Sequence, residues 1–163
     1  MCEGNSALVG GPLPYTELGP ERDLQKPAKF KIECGVGRLI EVRLEWLNEV
    51  SEVLKIEEAL RQAFTQIGAA AIICADFRGV EILSPAVSDA LLETFKRDNP
   101  RLLRSALLLS PANAVFNLQI ERLLREASYP GRRAFRAAEP LLSWLAELLT
   151  PQELARARLM FAG

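Results

Sequence analysis

Residues 69–75 read Ala-Ala-Ala-Ile-Ile-Cys-Ala and stop at Asp76. The run is short and apolar throughout, which fits a strand buried on both faces, as in a parallel sheet. Residues 104–110, Arg-Ser-Ala-Leu-Leu-Leu-Ser, predict a second strand of the same kind. A chain with two such strands needs helices against its sheet, and the rest of the sequence supplies them.

Phe30, Ile32 and Cys34 alternate with Lys29, Lys31 and Glu33, which predicts a strand with one buried face. Gly35-Val36-Gly37 then predicts a tight turn. Ile40, Val42, Leu44 and Trp46 alternate with Glu41, Arg43 and Glu45, a second half-buried strand, so 29–46 is read as a β-hairpin. Val53, Ile56, Leu60, Phe64 and Ile67 recur at spacings of three and four and predict a helix over 51–67, closed by Gly68. Ser84-Pro85 is a helix start, with serine at the cap and proline in the first turn. That helix runs to about Lys96. Ser110-Pro111 repeats the signal, and Val115, Leu118, Ile120, Leu123 and Leu124 predict a helix to about Ala127. A short strand over 132–136 and a helix over 140–149 follow. Thr150-Pro151-Gln152-Glu153 is a capping box opening a last helix with Leu154, Leu159, Met160 and Phe161. That helix packs on its own sheet, on a partner or on a second copy. The order predicts an α/β fold: a mostly parallel sheet of about five strands, opening with an antiparallel hairpin. Residues 1–28, with four prolines and four glycines and no hydrophobic period, read as a flexible tail. Residues 29–149 form the domain and 150–163 a C-terminal helical extension.

Composition narrows the chemistry. The 163 residues include no histidine, so there is no Ser-His-Asp or Cys-His catalysis, no histidine metal ligand and no histidine pH switch. Cys2, Cys34 and Cys74 show no CxxC spacing, and no secretory apolar segment precedes them; a reducing cytoplasm is the simplest setting. No apolar run approaches the roughly 20 residues of a membrane span. The net charge of −1 hides an uneven spread, −6 over residues 1–95 and +5 over 96–163. Arg132, Arg133 and Arg136 cluster with Phe135 alone beside them, too little for a nucleic-acid stripe. No cofactor and no metal are expected.

The candidate residues lie around one loop. Asp76 and Glu81 are two carboxylates flanking it; they are read as an acid/base pair or, better, Asp76 as an acceptor of loop N–H groups. Gly79 is expected to supply a loop conformation that other residues resist. Ser84 is a plain N-cap or, at a helix N-terminus, an anion site. Cys74, inside the apolar strand, is expected to be an inert thiol.

Residues 76–88, Asp-Phe-Arg-Gly-Val-Glu-Ile-Leu-Ser-Pro-Ala-Val-Ser, resemble the signature loop of STAS domains, the fold of the sporulation anti-anti-sigma factors. The likeness extends over about 29–149 and includes Arg133-Ala134-Phe135 and the close Glu139-Pro140-Leu141-Leu142-Ser143-Trp144-Leu145, similar to the SpoIIAA-like branch. Aligned on Asp76 and Gly79, the family's Asp-Ser-Ser becomes Ser84-Pro85-Ala86, and Ala86 stands where the family carries its phosphoserine. The resemblance implies a non-enzymatic, cytoplasmic bacterial domain that acts in regulatory signalling by protein–protein contact, with a kinase-like or anti-sigma-like partner. It implies a face made by the 78–88 loop and the helix to Lys96. There Arg78 and Glu81 serve as charged contacts, Ser84 as cap, and Ser88 and Asp89 stand on the exposed start of the helix. Neither a nucleic-acid partner nor a membrane span is implied, and self-association through the last helix is compatible. The alternative is a small apolar ligand or lipid module of the same fold, lined by Phe64, Phe95, Phe116 and the last helix.

Overall fold

The computed structural model describes residues 29–162; the expected tail over 1–28 lies outside the described residues. Strands β1 (Phe30–Val36) and β2 (Leu39–Leu44) form the hairpin, followed by helix α1 (Val50–Ile67) and strand β3 (Ala71–Asp76). Helix α2 (Pro85–Asp98), strand β4 (Leu102–Leu108), helix α3 (Ala114–Ala127) and strand β5 (Arg132–Phe135) come next. Helices α4 (Ala138–Ala146) and α5 (Pro151–Met160) complete the described chain.

The sheet order is β1-β2-β3-β4-β5, antiparallel in the hairpin and parallel from β2 onward. Each parallel step moves one strand in the same direction. Right-handed crossovers therefore put α1, α2 and α3 on the same face. The other face falls to α4 and α5. Strand β3, central in the sheet, shows why its sequence has no polar position before Asp76. Ala71, Ile73 and Ala75 enter the core beneath α1–α3, while Ile72 and Cys74 enter a second core beneath α4 and α5. Burial pushes the Cys74 thiol up to about 12, which keeps it unreactive.

Three expectations change. The hairpin turn is Gly37-Arg38, not Gly35-Val36-Gly37, because Gly37 is the residue at positive φ (56°) and a bulge lies between Cys34 and Val36. β2 is buried on both faces rather than one, since α5 roofs its polar side: Arg156 Nε donates to Glu41 at 2.8 Å, and Ala157 and Met160 are buried below. The 150–163 extension thus packs on its own sheet, with Leu159 left facing outward.

The third change concerns α3. Ser110-Pro111 does not start it. The Ser110 carbonyl accepts the Asn113 N–H at 3.2 Å, closing a turn, and the helix opens three residues later on Asn113. Its buried face is Phe116, Asn117, Ile120, Leu123 and Ala127, so Val115 and Leu118 point to solvent at 56% and 66% exposure. The spacing 116-120-123-127 is the true helical stripe, and Val115 and Leu118 form a second apolar row beside it.

Candidate functional site

The loop between β3 and α2 is held from three sides. At its start, Asp76 accepts the Arg78 backbone N–H at 3.1 Å, and its two oxygens take Arg78 Nε at 3.0 Å and Nη2 at 2.8 Å. Arg78 folds back over the strand end, 5.9 Å from the Phe161 ring, and this closed pair raises the Arg78 pKa. In the middle, Asn113 Nδ2 donates to the Val80 carbonyl at 2.9 Å. At the end, Gln119 clamps Leu83 in both directions: the Leu83 N–H donates to Oε1 at 2.9 Å, and Nε2 donates to the Leu83 carbonyl at 2.8 Å. Phe77, Val80 and Leu83 point down into the core. The loop is therefore a platform fixed by α3, with its alternate residues outward.

Gly79 has a different role from the one expected. Its φ is not in the left-handed region. A Cβ there would lie 3.0 Å from the Cα and the carbonyl oxygen of Glu45, backbone atoms that cannot step aside. Gly79→Ala is expected to cost about 1–3 kcal/mol in a urea unfolding titration, the range for overpacking a close contact.

Ser84 caps α2, its hydroxyl accepting the Val87 N–H at 3.3 Å, with Pro85 in the first turn as predicted. Ser84, Ala86 and Asp89 are exposed, as is Glu81, which forms no ion pair among the described residues. Ser88 is not on the exposed start of the helix. It is 1% exposed and its hydroxyl accepts from Arg122 at 3.1 Å, because the fourth residue of α2 turns toward α3. The structure thus leaves Glu81, Ser84 and Asp89 exposed, ties Arg78 to Asp76, and buries Ser88.

Sequence reasoning missed Asn113, Gln119 and Arg122, the α3 residues that hold the platform. It also missed its apolar surface. Ile82 is 65% exposed, and with Val115 it lines a shallow groove of about 380 Å³ whose walls include Glu81 and Asn113. Leu118 stands one turn along from Val115. The signal was there: α3 carries more apolar residues than one stripe can bury. Among the described residues no cluster of three or more acidic or cysteine side chains is placed to hold a metal, and no helix is long and apolar enough to cross a membrane.

With a five-stranded mixed sheet opening on an antiparallel hairpin and helices on both faces, the chain has a SpoIIAA-like α/β fold. A solved structure of an uncharacterized protein from the DUF3478 family, from Shewanella loihica PV-4, described as having a SpoIIAA-like fold, superposes with a TM-score of 0.51. It is 16% identical, and the match covers 74% of this chain and 96% of that one. The likeness is one of fold. No protein-family model and no curated protein matches the chain.

Proposed function

We propose that the protein is a regulatory domain that acts by binding a protein partner through the platform of the 77–84 loop and the first turns of α2 and α3. The observation that carries this reading is the exposure of Ile82, Val115 and Leu118 together on backbone that α3 holds rigid. Large apolar side chains grouped on a rigid surface and rimmed by charge mark contact surfaces. Glu81, in the same groove lining, supplies that charge. Ala86, exposed in the first turn of α2, offers no hydroxyl, so switching by phosphate at this position is not part of the reading.

The apolar-ligand alternative draws less support. Phe64 and Phe116 are packed into the core, and the narrow pocket that Phe95 lines measures about 40 Å³, too little for an acyl chain.

The test is affinity capture with the full chain, followed by reconstitution of the captured partner from purified components. Ile82→Glu with Leu118→Glu is expected to weaken that partner by at least about tenfold, as for charges placed in an apolar contact centre. Leu54→Glu, on α1 and 58% exposed, is the control that leaves binding unchanged. Equal affinity for all three proteins overturns the reading.

A further inference from the structure

We propose that the outer edge of β5 docks an acidic, extended peptide segment of a partner protein, which adds to the sheet as a sixth strand. This surface is separate from the loop platform and stands or falls independently of it.

Among the described residues β5 is the last strand in the sheet order and pairs only with β4. The Ser105 N–H donates to the Gly131 carbonyl and the Leu109 N–H to the Phe135 carbonyl, each at 2.8 Å. Gly131 and Phe135 therefore face β4. In a parallel ladder alternate residues turn their backbone groups to opposite sides, so the N–H and carbonyl of Ala134 point away from the sheet. Exposed edges are templates for a further strand, and proteins usually cover or blunt them. Here the edge opens instead into a groove of about 620 Å³ between β5 and α3.

The lining of the groove selects the occupant. Leu124 and Ala134 give it an apolar floor on the α3 side, and Arg125 and Arg136 stand exposed along it; Arg133 and Phe135 turn to the opposite face, against Trp144 of α4. The one acid in the lining, Glu121, is taken by Arg136 at 2.8 Å. Arg125 and Arg133 form no ion pair among the described residues; the Arg133 guanidinium lies 5.1 Å from the Trp144 ring instead. A basic strand is repelled by this edge, and a neutral one gains nothing from it. A strand whose acidic side chains turn to the α4 face meets the Arg133 guanidinium, while its apolar alternates reach the floor on the α3 face with Arg125 at the rim. The arginine cluster that is too sparse for a nucleic-acid stripe becomes complementary to an acidic strand once β5 presents it beside open backbone groups.

The probe is a fluorescein-labelled peptide alternating Glu and Val, titrated with the full chain and followed by anisotropy. It is expected to bind with an affinity that falls as salt rises. The same peptide N-methylated at alternate backbone positions keeps its charge but cannot pair, and is expected to bind at least about tenfold more weakly, as is a Lys/Val peptide. On the protein side, Arg125→Glu with Arg133→Glu is expected to abolish binding, and Ala134→Pro to weaken it by removing the outward donor without touching the β4 ladder. If Ala134→Pro fails to fold, amide exchange of the wild type replaces it, since exchange at Ala134 must slow in the complex. No binding of the acidic peptide overturns the proposal. So does equal binding of the N-methylated peptide, unchanged exchange at Ala134, or a single-stranded oligonucleotide that occupies the groove in its place.

Discussion

Replacing Glu153 by alanine is expected to lower the unfolding free energy at pH 7 by about 3 kcal/mol, and Tm by about 10 °C. Glu153 is 1% exposed, yet it accepts from four donors. One oxygen takes the Arg38 N–H at 2.8 Å and Arg38 Nε at 3.3 Å; the other takes the Thr150 N–H at 2.8 Å and Arg38 Nη2 at 3.2 Å. Desolvation by burial works against ionisation, but the Arg38 and Thr150 donors outweigh it and hold the carboxyl at about 2, against an ordinary 4.5. Because the folded pKa is depressed, this stability is fully present above about pH 4.5 and is lost as pH falls through 2. The difference between wild type and Glu153→Ala is therefore expected to shrink in urea titrations from pH 5 down to pH 2.5. A difference that stays constant across that range overturns the assignment. Gly37 belongs to the same lock. A Cβ there would fall 2.3 Å from Glu153 Oε1, so the turn needs glycine both for its positive φ and for the carboxylate beside it.

Asp98→Asn is expected to stabilise the protein by about 2 kcal/mol at pH 8 and to leave it unchanged at pH 4. Asp98 is 7% exposed at the end of α2, on the wall of the narrow pocket that Arg132 also lines. Burial pushes its carboxyl up to about 6 from 3.8, against the opposing pull of Arg132, Arg97, Arg101 and Arg61. Arg132 is itself 6% exposed, stacked 4.3 Å over Phe95, with Nε and Nη1 lacking a partner, and burial pushes it down to about 10. The folded state thus holds the Asp98 proton more tightly than the unfolded chain does. Stability from this group is greatest below about pH 3.8, falls as pH rises to 6 and is flat beyond. The amide mimics the protonated form and removes that loss. Chemical denaturation of both proteins from pH 4 to 8 checks it; a wild type whose stability rises from pH 4 to 7 in parallel with the variant contradicts it. With Glu153 losing its contribution below 4.5 and Asp98 above 3.8, the two groups together favour folding most at roughly pH 4 to 5.

Much of the site was legible because its chemistry is local. Ser84-Pro85 caps α2, and Asp76 receives the loop N–H two residues on, since both depend on atoms only a few bonds apart. Gly79 was legible as a constrained position but not for its reason, because Glu45 approaches it from 34 residues away in the chain. Ser88 was misplaced because an exposed serine and one taken by Arg122 of α3 have the same sequence signature. Val115 and Leu118 help to predict α3 without telling which way they face, because an apolar residue on a helix says nothing of which of two apolar rows is buried.

The sheet can be read from the chain alone: the apolar run of β3, the alternation of β1 and the helical stripes between them leave few arrangements, because hydrophobic period and handed crossovers are properties of the chain. Tertiary packing set the rest. It brought α5 over the hairpin so that Glu153, which the capping box made visible, also locks Arg38. It turned α3 so that Asn113 and Gln119 hold the loop while Val115 and Leu118 face outward, and among the described residues it left the edge of β5 unpaired beside Arg125 and Arg133, which form no ion pair. These are meetings between residues far apart in the chain, set by packing complementarity, and no local pattern encodes them.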